Sequence, residues 1–573
     1  MDFFKKICLS LLSSLIFALA IPNEFLLLGS VTLGFVALIP LYYALIYAKN
    51  RKETSVLFGI WLAAMHLMSS FWLAYFRDYA VFTLGATTVA YFFIGMLFGP
   101  AFFELARIRK KTLRPFAFAC LWVFWEWIKS SGFLAYPWGT LSLTAYRALW
   151  LKQIADITGV WGIGFVIAFT SFSLAEIGRA VANVLLFSAP RGRCEFSQYS
   201  RKKNNVRLIV RLSAAVIVLC GICAVYSAVQ LQKPLKKVDN LKLAIVQANT
   251  DSWNSNFSAE MEKTIMLTED ILKNAQEPDL IIWNEGSLIY SFPLNLRYYY
   301  LQPEAYSFAA FMEKNNIPLL AGTSLPLKSI SEEGTKYFTG DIAAYQYNPA
   351  DANYFANSVC LISPDCKILD YYNKMHLVPF AEYMPFIENQ NVRNMFKTLV
   401  GFSSSYIPGK DAKLISLSKQ DGTVINFAAP ICFEDAFPSL CANLHNLGSE
   451  LMINLTDDSW SQTRSAEYQH FVVASFRAIE LRTTLIRSTN TGYSCIVDPK
   501  GQVTDDLPLF TAAALYAAVP IYEYRQSFYA RFQDWLPMCC FVAVLIFIIY
   551  GRFILSGARS AFYTATGMRR KKL

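Results

Sequence analysis

The sequence predicts a multi-pass helical membrane domain joined to an α/β layered domain. Three observations predict it. Long apolar stretches fill the chain up to about residue 230, one more lies near the C-terminus, and the middle alternates short β-branched segments with amphipathic ones. Of the 573 residues, 54% are hydrophobic and 16% are charged, whereas soluble domains carry about 25% charged residues. The chain is also longer than one ordinary domain requires.

Eight segments are predicted to cross the membrane, since a crossing helix needs about 20 mainly apolar residues. They are Ile7–Pro22, Phe25–Ala48, Val56–Phe76, Val81–Leu105, Pro115–Phe133, Thr158–Ala175, Leu208–Gln230 and Trp535–Leu555. The first also resembles a signal peptide, because Lys5 and Lys6 precede an apolar stretch. We expect it to remain uncleaved, because a second apolar stretch follows at once. Glu126, inside the fifth segment, should face a protein interior rather than lipid.

The distribution of Lys and Arg predicts the orientation of these segments. Every second loop is basic, and the basic sets are Lys5–Lys6, Lys49–Lys52, Arg107–Arg114, Arg191–Lys203 and Arg569–Lys572. By the positive-inside rule, both termini are cytoplasmic, and seven crossings place the central segment outside the cytoplasm. The predicted domains are residues 1–231 with seven helices, 232–530 as the outer domain, and 531–573 as the eighth helix with a basic tail. This topology accounts for the net charge of +10, and nucleic-acid binding is not expected.

Neither cysteine nor histidine spacing predicts a metal site. The twelve cysteines follow no repeated spacing and the four histidines are unpaired in sequence. Cys360, Cys366, Cys441 and Cys495 lie in the outer domain, where a disulfide between two of them is compatible with the compartment, but sequence does not pair them.

The outer domain alternates predicted strands with helices, which is typical of an α/β layered fold. The strands are Leu241–Gln247, Asp279–Trp283, Ile317–Thr323, Asn357–Ile362, Val424–Ile431, Glu450–Leu455, Leu485–Ser488 and Cys495–Asp498. The helices are Ala259–Asn274 and Ser465–Leu481.

Three reactive side chains follow predicted strands. Glu285 lies in Leu-Ile-Ile-Trp-Asn-Glu-Gly, Lys374 lies in Tyr-Asn-Lys-Met-His, and Cys432 lies in Ala-Pro-Ile-Cys-Phe-Glu-Asp. If the strand ends meet at one rim of the sheets, these residues supply a base, an electrophilic stabiliser and a nucleophile. Taken singly, each has an ordinary structural explanation: a solvated carboxylate, a surface charge and a core thiol.

These passages resemble the Glu, Lys and Cys motifs of the nitrilase superfamily, and the resemblance implies an αββα sandwich. Five further motifs are Gly132–Gly139, Gln153–Gly162, His376–Phe380, Arg477–Glu480 and Arg487–Gly492. They resemble motifs of apolipoprotein N-acyltransferases, a membrane-embedded branch of that superfamily. The resemblance spans nearly the whole chain and includes the eight helices.

Carried over by position, the family's catalytic triad falls on Glu285, Lys374 and Cys432. Its auxiliary or substrate-binding residues fall on Trp253, Glu382, Phe433 and Glu434. Three passages depart from the usual pattern. They are the Trp-Asn-Glu-Gly context of Glu285, phenylalanine rather than tyrosine at Phe433, and the segment Thr456–Trp460.

The resemblance implies a reaction without a metal or a cofactor. An acyl chain passes from a membrane phospholipid, expected to be phosphatidylethanolamine, to the thiol of Cys432. The thioester then acylates the α-amine of a diacylglyceryl-cysteine at the N-terminus of an apolipoprotein, in a bacterial inner membrane. The competing interpretations are a membrane-tethered amidase acting on a small substrate and a non-catalytic membrane scaffold or transporter.

Apolar residues in predicted outer loops have two open explanations. They either reach the bilayer or gate an acyl-chain entry, or else they pack against the membrane domain. The residues are Leu288, Ile289, Tyr290, Phe292, Tyr298–Tyr300, Met384, Phe386, Phe402 and Tyr406.

Overall fold

The computed structural model divides into two compact units. It describes residues 1–76, 80–186, 195–251, 253–254, 256–274, 277–288, 291–292, 299, 306–327, 355–383, 386, 389–400 and 406–566. The first unit comprises Met1–Ala74, Ala80–Leu231 and Asp534–Leu573. The second comprises Tyr75–Tyr79 and Gln232–Gln533.

Each of the eight segments that the sequence predicted to cross the membrane contains an α-helix of the first unit, but residues 25–30 and 130–133 are not helical. Its helices are α1 (Phe3–Ala20), α2 (Val31–Ala37), α3 (Ile39–Ile46), α4 (Arg51–Ser69), α5 (Thr87–Ala106), α6 (Arg114–Lys129), α7 (Leu149–Lys152), α8 (Ala155–Leu186), α9 (Glu195–Gln232) and, after the second unit, Trp535–Thr566. Among the described residues, four helical stretches are long and apolar enough to cross a bilayer: Phe3–Ala20, Thr83–Ala106, Ala155–Leu185 and Lys202–Gln232. The second predicted segment is divided at Leu38, just before Pro40, into two shorter helices.

Small residues let α4 and α5 approach closely. A Cβ added to Gly95 on α5 would lie 2.8 Å from the Cα of Gly59 on α4, and one added to Gly99 would overlap the backbone of Ser55. Each helix thus places two small residues four positions apart at the same contact. In a bilayer, where apolar surfaces gain little by leaving lipid, such close backbone packing is a principal source of helix association.

Glu126 on α6 is satisfied inside this helical unit. Its side chain is 2% exposed. It accepts hydrogen bonds from the indole N–H of Trp122 at 2.9 Å and the backbone N–H of Leu141 at 2.8 Å. The prediction that this carboxyl faces a protein interior is confirmed.

The second unit contains two six-stranded mixed sheets. The first has the order β12-β1-β2-β3-β4-β5, with β1 Lys237–Gln247, β2 Leu280–Ile282, β3 Leu319–Pro326, β4 Phe355–Ile362, β5 Ile368–Asn373 and β12 Ala513–Tyr522. The second has the order β11-β10-β9-β8-β7-β6, with β6 Ile415–Ser418, β7 Val424–Ala428, β8 Leu451–Thr456, β9 Thr484–Thr489, β10 Cys495–Val497 and β11 Val503–Asp506. In both sheets the central strands are parallel and the outer pairs antiparallel.

Helices separate many of these strands along the chain. They are α10 (Phe257–Asn274), α11 (Tyr306–Asn315), α12 (Gln390–Val400), α13 (Pro438–His445), α14 (Arg464–Leu481) and α15 (Phe528–Phe532). One buried cluster joins the first sheet to α10 and α11. At its centre is Trp283, whose ring contacts Phe308 and Phe311 and whose indole N–H donates to Thr268 Oγ1 at 3.1 Å. The α/β sandwich is therefore confirmed.

The contact between α4 and α5 yields a test of the first unit. Replacing Gly99 with Leu should force the two helices apart and lower stability by about 1–3 kcal/mol, the usual cost of overpacking. The measurement is the unfolding midpoint of the full-length protein in detergent. Gly221→Leu is the matched control, because a Cβ at Gly221 meets no atom within 4 Å. Equal midpoints for the two variants would contradict the packing argument.

Candidate active site

The sheet topology brings the predicted strand ends to one rim. Glu285 follows β2, and Lys374 follows β5 directly. Because β4 runs antiparallel to both β3 and β5, its first residues lie at this same rim. Cys432 follows β7 in the second sheet. The arrangement places carboxylate, amine and thiol groups from separate strands in one small volume, as is common at the carboxyl ends of parallel strands.

A buried ion network forms the centre of the site. Lys374 is 0% exposed, and its Nζ lies 2.8 Å from Glu382 Oε1 and 3.2 Å from Glu285 Oε1. Burial acts to lower the pKa of Lys374, but Glu285, Glu382 and Cys432 raise it well above its ordinary value. Burial raises the pKa of Glu285, and Lys374 opposes that shift. The lysine therefore remains a cation, and Glu285 is poised to take up a proton.

Two further groups fix the carboxylates. Asn357 Nδ2 donates to Glu285 Oε1 at 2.7 Å and to Glu382 Oε1 at 2.8 Å. The backbone N–H of Asp457 donates to Glu285 Oε2 at 3.1 Å. Sequence reasoning identified neither contact. The available signal for Asn357 was an amide at the start of an otherwise apolar buried strand.

Cys432 occupies a constrained backbone position. It begins a short 3₁₀ helix, Cys432–Ala436, with φ of +52°, in the left-handed region that non-glycine residues seldom adopt. The side-chain amide of Asn454 donates to the carbonyls of Pro430 and Cys432, at 3.0 and 2.9 Å. Burial raises the pKa of the Cys432 thiol well above its usual value, Glu285 adds to this, and Lys374 opposes it. The strained turn presents the thiol to the ion network.

Glu434 joins the cysteine turn to the lysine turn. Its Oε1 accepts from the backbone N–H groups of Met375 at 2.7 Å and His376 at 2.9 Å, and its Oε2 accepts from that of Ile431 at 2.8 Å. The side chain is fully buried, and burial raises its pKa to about 7. One carboxyl thus binds the residues after Lys374 to the residue before Cys432.

Of the other predicted auxiliary residues, Glu382 and Phe433 contact Lys374. Glu382 Oε2 also accepts from the backbone N–H of Val378 at 2.8 Å. The ring of Phe433 lies 5.4 Å from Lys374 Nζ. The indole N–H of Trp253 donates to the backbone carbonyl of Trp460 at 3.2 Å.

The apolar loop residues have different environments. Leu288, Phe292 and Tyr299 are buried in the core of the first sheet, an environment that neither explanation predicted. Phe386 is 76% exposed, and the hydroxyl of Tyr406 is hydrogen-bonded to that of Ser324 at 2.8 Å. The remaining members of the set, Ile289, Tyr290, Tyr298, Tyr300, Met384 and Phe402, lie outside the described residues.

Beneath the site lies a second buried network that sequence reasoning missed. His470 on α14 contacts Asp458 Oδ2 at 2.7 Å and Asp435 Oδ1 at 3.0 Å. Arg487 on β9 pairs with Asp435. Burial acts to lower the pKa of His470, but Asp458 and Asp435 raise it to about 9. Asp435 lies in the Cys432–Ala436 helix, and Asp458 follows Asp457, whose backbone N–H contacts Glu285. His470 and Arg487 therefore hold two loops of the site in place.

Similarity to known proteins extends over nearly the whole chain. The sequence model of the carbon-nitrogen hydrolase family matches residues 242–527, and that of the apolipoprotein N-acyltransferase N-terminal domain matches residues 13–173. Apolipoprotein N-acyltransferase 2 of Treponema denticola is 43% identical and covers 96% of this chain and 98% of its own length. The protein of the same name in Treponema pallidum is 39% identical, covering 94% and 93%. Apolipoprotein N-acyltransferase of Borreliella burgdorferi is 30% identical and covers 92% of each chain.

The raised pKa of His470 predicts a pH dependence of stability. A histidine with a folded pKa of about 9 and an unfolded pKa of about 6.5 stabilises the fold fully below pH 6.5. That contribution, on the order of 3 kcal/mol, is lost as the pH rises to 9. His470→Gln should therefore be destabilised relative to the wild type at pH 6, and the difference should shrink by pH 9.

The measurement is denaturant unfolding of the full-length protein, monitored by tryptophan fluorescence. His445→Gln is the control, because burial lowers the pKa of His445 to about 4, so the contribution of this residue to stability does not fall as the pH rises. A His470→Gln deficit that stays constant from pH 6 to 9 would show that His470 is uncharged in the fold.

Proposed function

Because the chain belongs to the apolipoprotein N-acyltransferase family, we propose that it acylates apolipoproteins through a thioester on Cys432. N-acylation of apolipoproteins is the activity that the family shares. The donor in this proposal is a membrane phospholipid, with phosphatidylethanolamine the expected one. The acceptor is the α-amine of an N-terminal diacylglyceryl-cysteine, so the reaction completes lipoprotein maturation. The juxtaposition of Glu285, Lys374 and Cys432 supports this route.

In the first half-reaction, Glu285 accepts the thiol proton and the Cys432 sulfur attacks the ester carbonyl carbon. The C–S bond forms while the carbonyl oxygen takes up negative charge. The C–O bond to the glycerol then breaks, and the lysophospholipid alkoxide receives the proton held by Glu285. The balance is one ester and one thiol converted to one thioester and one alcohol.

Lys374 stabilises the oxyanion of this step. Its ammonium is buried and held by two carboxylates and cannot be displaced by water. A fixed donor in a site that excludes water stabilises developing charge far more than the same donor in solution does. Backbone N–H groups at the start of the Cys432–Ala436 helix are the second donors in this proposal. Loss of one such donor typically lowers the rate by about 10²–10³.

In the second half-reaction, the acceptor amine replaces the sulfur. Glu285 takes a proton from the ammonium form, the neutral nitrogen attacks the thioester carbonyl, and a C–N bond forms as the C–S bond breaks. Glu285 passes this proton to the departing thiolate of Cys432, takes the second proton that the nitrogen loses on becoming an amide, and releases it to water, which restores the resting site. The amine is a stronger nucleophile than water, so the product is an amide when the site admits an amine and excludes water.

The auxiliary residues act through these three in the proposal. Glu382 orients Lys374, since it accepts from the same ammonium at 2.8 Å. Glu434 sets the distance between the lysine and cysteine turns through its three backbone contacts. Phe433 covers the ammonium, and Trp253 is an expected substrate-binding residue in this proposal.

The membrane arrangement follows from lipid-anchored substrates. We propose eight crossings of a bacterial inner membrane, with both termini cytoplasmic and residues 232–530 on the periplasmic side. The alternating basic loops support this orientation, and the apolar helices of the first unit support membrane insertion. A site for diacylated substrates must lie where both lipids can reach it without leaving the bilayer surface.

The thioester can be observed directly. Full-length protein in detergent, incubated with phosphatidylethanolamine, should gain one acyl mass. Cys432→Ala should gain none, whereas Cys8→Ala, which removes an exposed thiol, should behave like the wild type. Hydroxylamine should remove the adduct, and a diacylglyceryl-peptide should discharge it. If no phospholipid gives an adduct while small amides are hydrolysed, the protein is a tethered amidase.

Orientation can be tested by thiol labelling in spheroplasts. Val424→Cys replaces a half-exposed residue of the second unit, and a membrane-impermeant maleimide should label it above the wild-type background. Lys52→Cys, in a predicted cytoplasmic loop, should be labelled only after the membrane is permeabilised. Labelling of Lys52→Cys in intact spheroplasts would contradict the proposed topology.

A further inference from the structure

Asn490 lies where loops from the two sheets meet. It directly follows β9 of the second sheet, and its backbone N–H donates to the carbonyl of Thr456, the last residue of β8, at 3.1 Å. The backbone N–H of Asn249, shortly after β1 of the first sheet, donates to the Asn490 carbonyl at 2.9 Å. The side chain of Asn490 is 2% exposed. This residue also belongs to the Arg487–Gly492 motif, to which the proposed reaction assigns no role.

The side-chain amide of Asn490 forms as many hydrogen bonds as an amide can. Its Oδ1 accepts from the backbone N–H of Thr250 at 3.0 Å and from the hydroxyl of Thr250 at 3.1 Å. Its Nδ2 donates to the Thr250 carbonyl and to Asp457 Oδ1, both at 3.2 Å. An amide oxygen has two lone pairs and an amide nitrogen has two N–H bonds, so both atoms are saturated. A residue that only donates, or only accepts, cannot replace this set of contacts.

One of these contacts leads to the base of the proposed reaction. The backbone N–H of Asp457 donates to Glu285 Oε2 at 3.1 Å. The Oδ1 of Asp457, which accepts from Asn490, also accepts from the backbone N–H of Ser459 at 2.9 Å. The turn that carries the Asp457 N–H is therefore closed on itself and fastened to Asn490. A hydrogen bond from an N–H group to a carboxylate stabilises the ionised form of that carboxylate.

The contacts with Thr250 hold the segment that leads to Trp253. Asp251 Oδ1 accepts from the backbone N–H of Trp253 at 2.9 Å, and the indole of Trp253 donates to the Trp460 carbonyl. Asn490 thus joins the loop after β1 to the loop after β8. Both loops line a cavity of about 350 Å³ that has Glu285 in its wall.

We propose that Asn490 is a positioning residue, which holds the Asp457 N–H against Glu285 and so keeps this base in the orientation that accepts the thiol proton. The inference rests on the proposed function, in which Glu285 is the base of both half-reactions. Asn490 acts through Asp457 rather than on the reacting atoms. It joins the two sheets on the Glu285 side of the site, as Glu434 joins the lysine and cysteine turns on the other side.

Replacing Asn490 with Leu should disturb Glu285 in a defined direction. Leucine has the branched shape of asparagine without its polar atoms, so the Asp457 turn would lose its fastening and its N–H would move away from Glu285. The charged or titratable groups that face this base are Lys374, Glu382, Asp457 and Cys432. All of them remain in the variant, and only the support of the ionised carboxylate is weakened. Glu285 should then accept a proton at a higher pH.

The test follows two reactions of Cys432 in the full-length protein in detergent, from acidic to alkaline pH. One is thioester formation with phosphatidylethanolamine, timed by intact mass. The other is alkylation by iodoacetamide, located at Cys432 by peptide mass, which requires no phospholipid. Asn446→Leu is the matched control, because the Asn446 amide also donates to a backbone carbonyl, that of Ala530 at 2.7 Å, but at the contact between α13 and α15.

For Asn490→Leu we expect both reactions to be slowed about tenfold near neutral pH, the effect of losing about one hydrogen bond. The pH below which each rate falls should move upward. A reciprocal exchange, Asn490→Asp combined with Asp457→Asn, restores a hydrogen bond between the two positions with donor and acceptor exchanged. It also keeps the net charge of the site. The exchange should return the pH profile toward that of the wild type, and Asn446→Leu should leave the profile unchanged.

Two results would overturn the inference. One is an Asn490→Leu profile that falls at the wild-type pH, even with lower rates, since that indicates a structural role alone. The other is a reciprocal exchange whose profile stays with that of Asn490→Leu. If the wild type forms no thioester while its alkylation profile still responds to Asn490→Leu, the proposed function fails and the positioning role stands. The two failures are thereby distinguished.

Discussion

The burial of one ammonium group determines the arrangement of the site. An unpaired charge with the 0% exposure of Lys374 would cost several kcal/mol. Glu285 and Glu382 compensate it, and Asn357 holds both carboxylates through one amide. Because these four residues come from different strands or from the turns that follow them, the strand ends of the first sheet must meet within hydrogen-bonding distance. Removing either carboxylate would break its contacts with Lys374 and Asn357 and loosen the whole rim.

The second sheet is positioned relative to this centre by buried carboxyl groups. Glu434 accepts hydrogen bonds from the backbone after Lys374, which follows the first sheet, and from the backbone before Cys432, which follows the second. Deeper in the fold, Asp435 and Asp458 share His470 and Arg487. These contacts are directional, unlike the apolar contacts between the sheets. The apolar core supplies the stability, whereas the buried polar contacts fix the distances on which a strained nucleophile at Cys432 depends.

The sequence predicted the eight inner strands, and all four strands that it missed are sheet edges: β5, β6, β11 and β12. Inner strands are buried on both faces and form continuous apolar stretches such as Leu241–Gln247. An edge strand is partly exposed and lacks that pattern. In β12, Pro520 also breaks the sequence signal, although an edge tolerates it. Likewise, strand ends indicated Glu285, Lys374 and Cys432. Asn357 is marked only by an amide in an otherwise apolar strand and His470 by no local pattern, because the partners of both are distant in sequence.

Charge balance explains why a buried site can generate a thiolate at all. With both carboxylates ionised, Glu285, Glu382 and Lys374 together carry a net charge of −1. If Cys432 lost its proton to water, the thiolate would make the net charge of the site −2. Transfer of that proton to Glu285 leaves the total unchanged. Burial raises the pKa of Glu285 and that of Cys432 together, so the desolvation penalty on one anion is exchanged for that on the other. The balance between the two is then set by Lys374, which attracts whichever anion is nearer to it. The same exchange operates in reverse when the thiolate departs, which is why one carboxyl can serve both halves of the reaction.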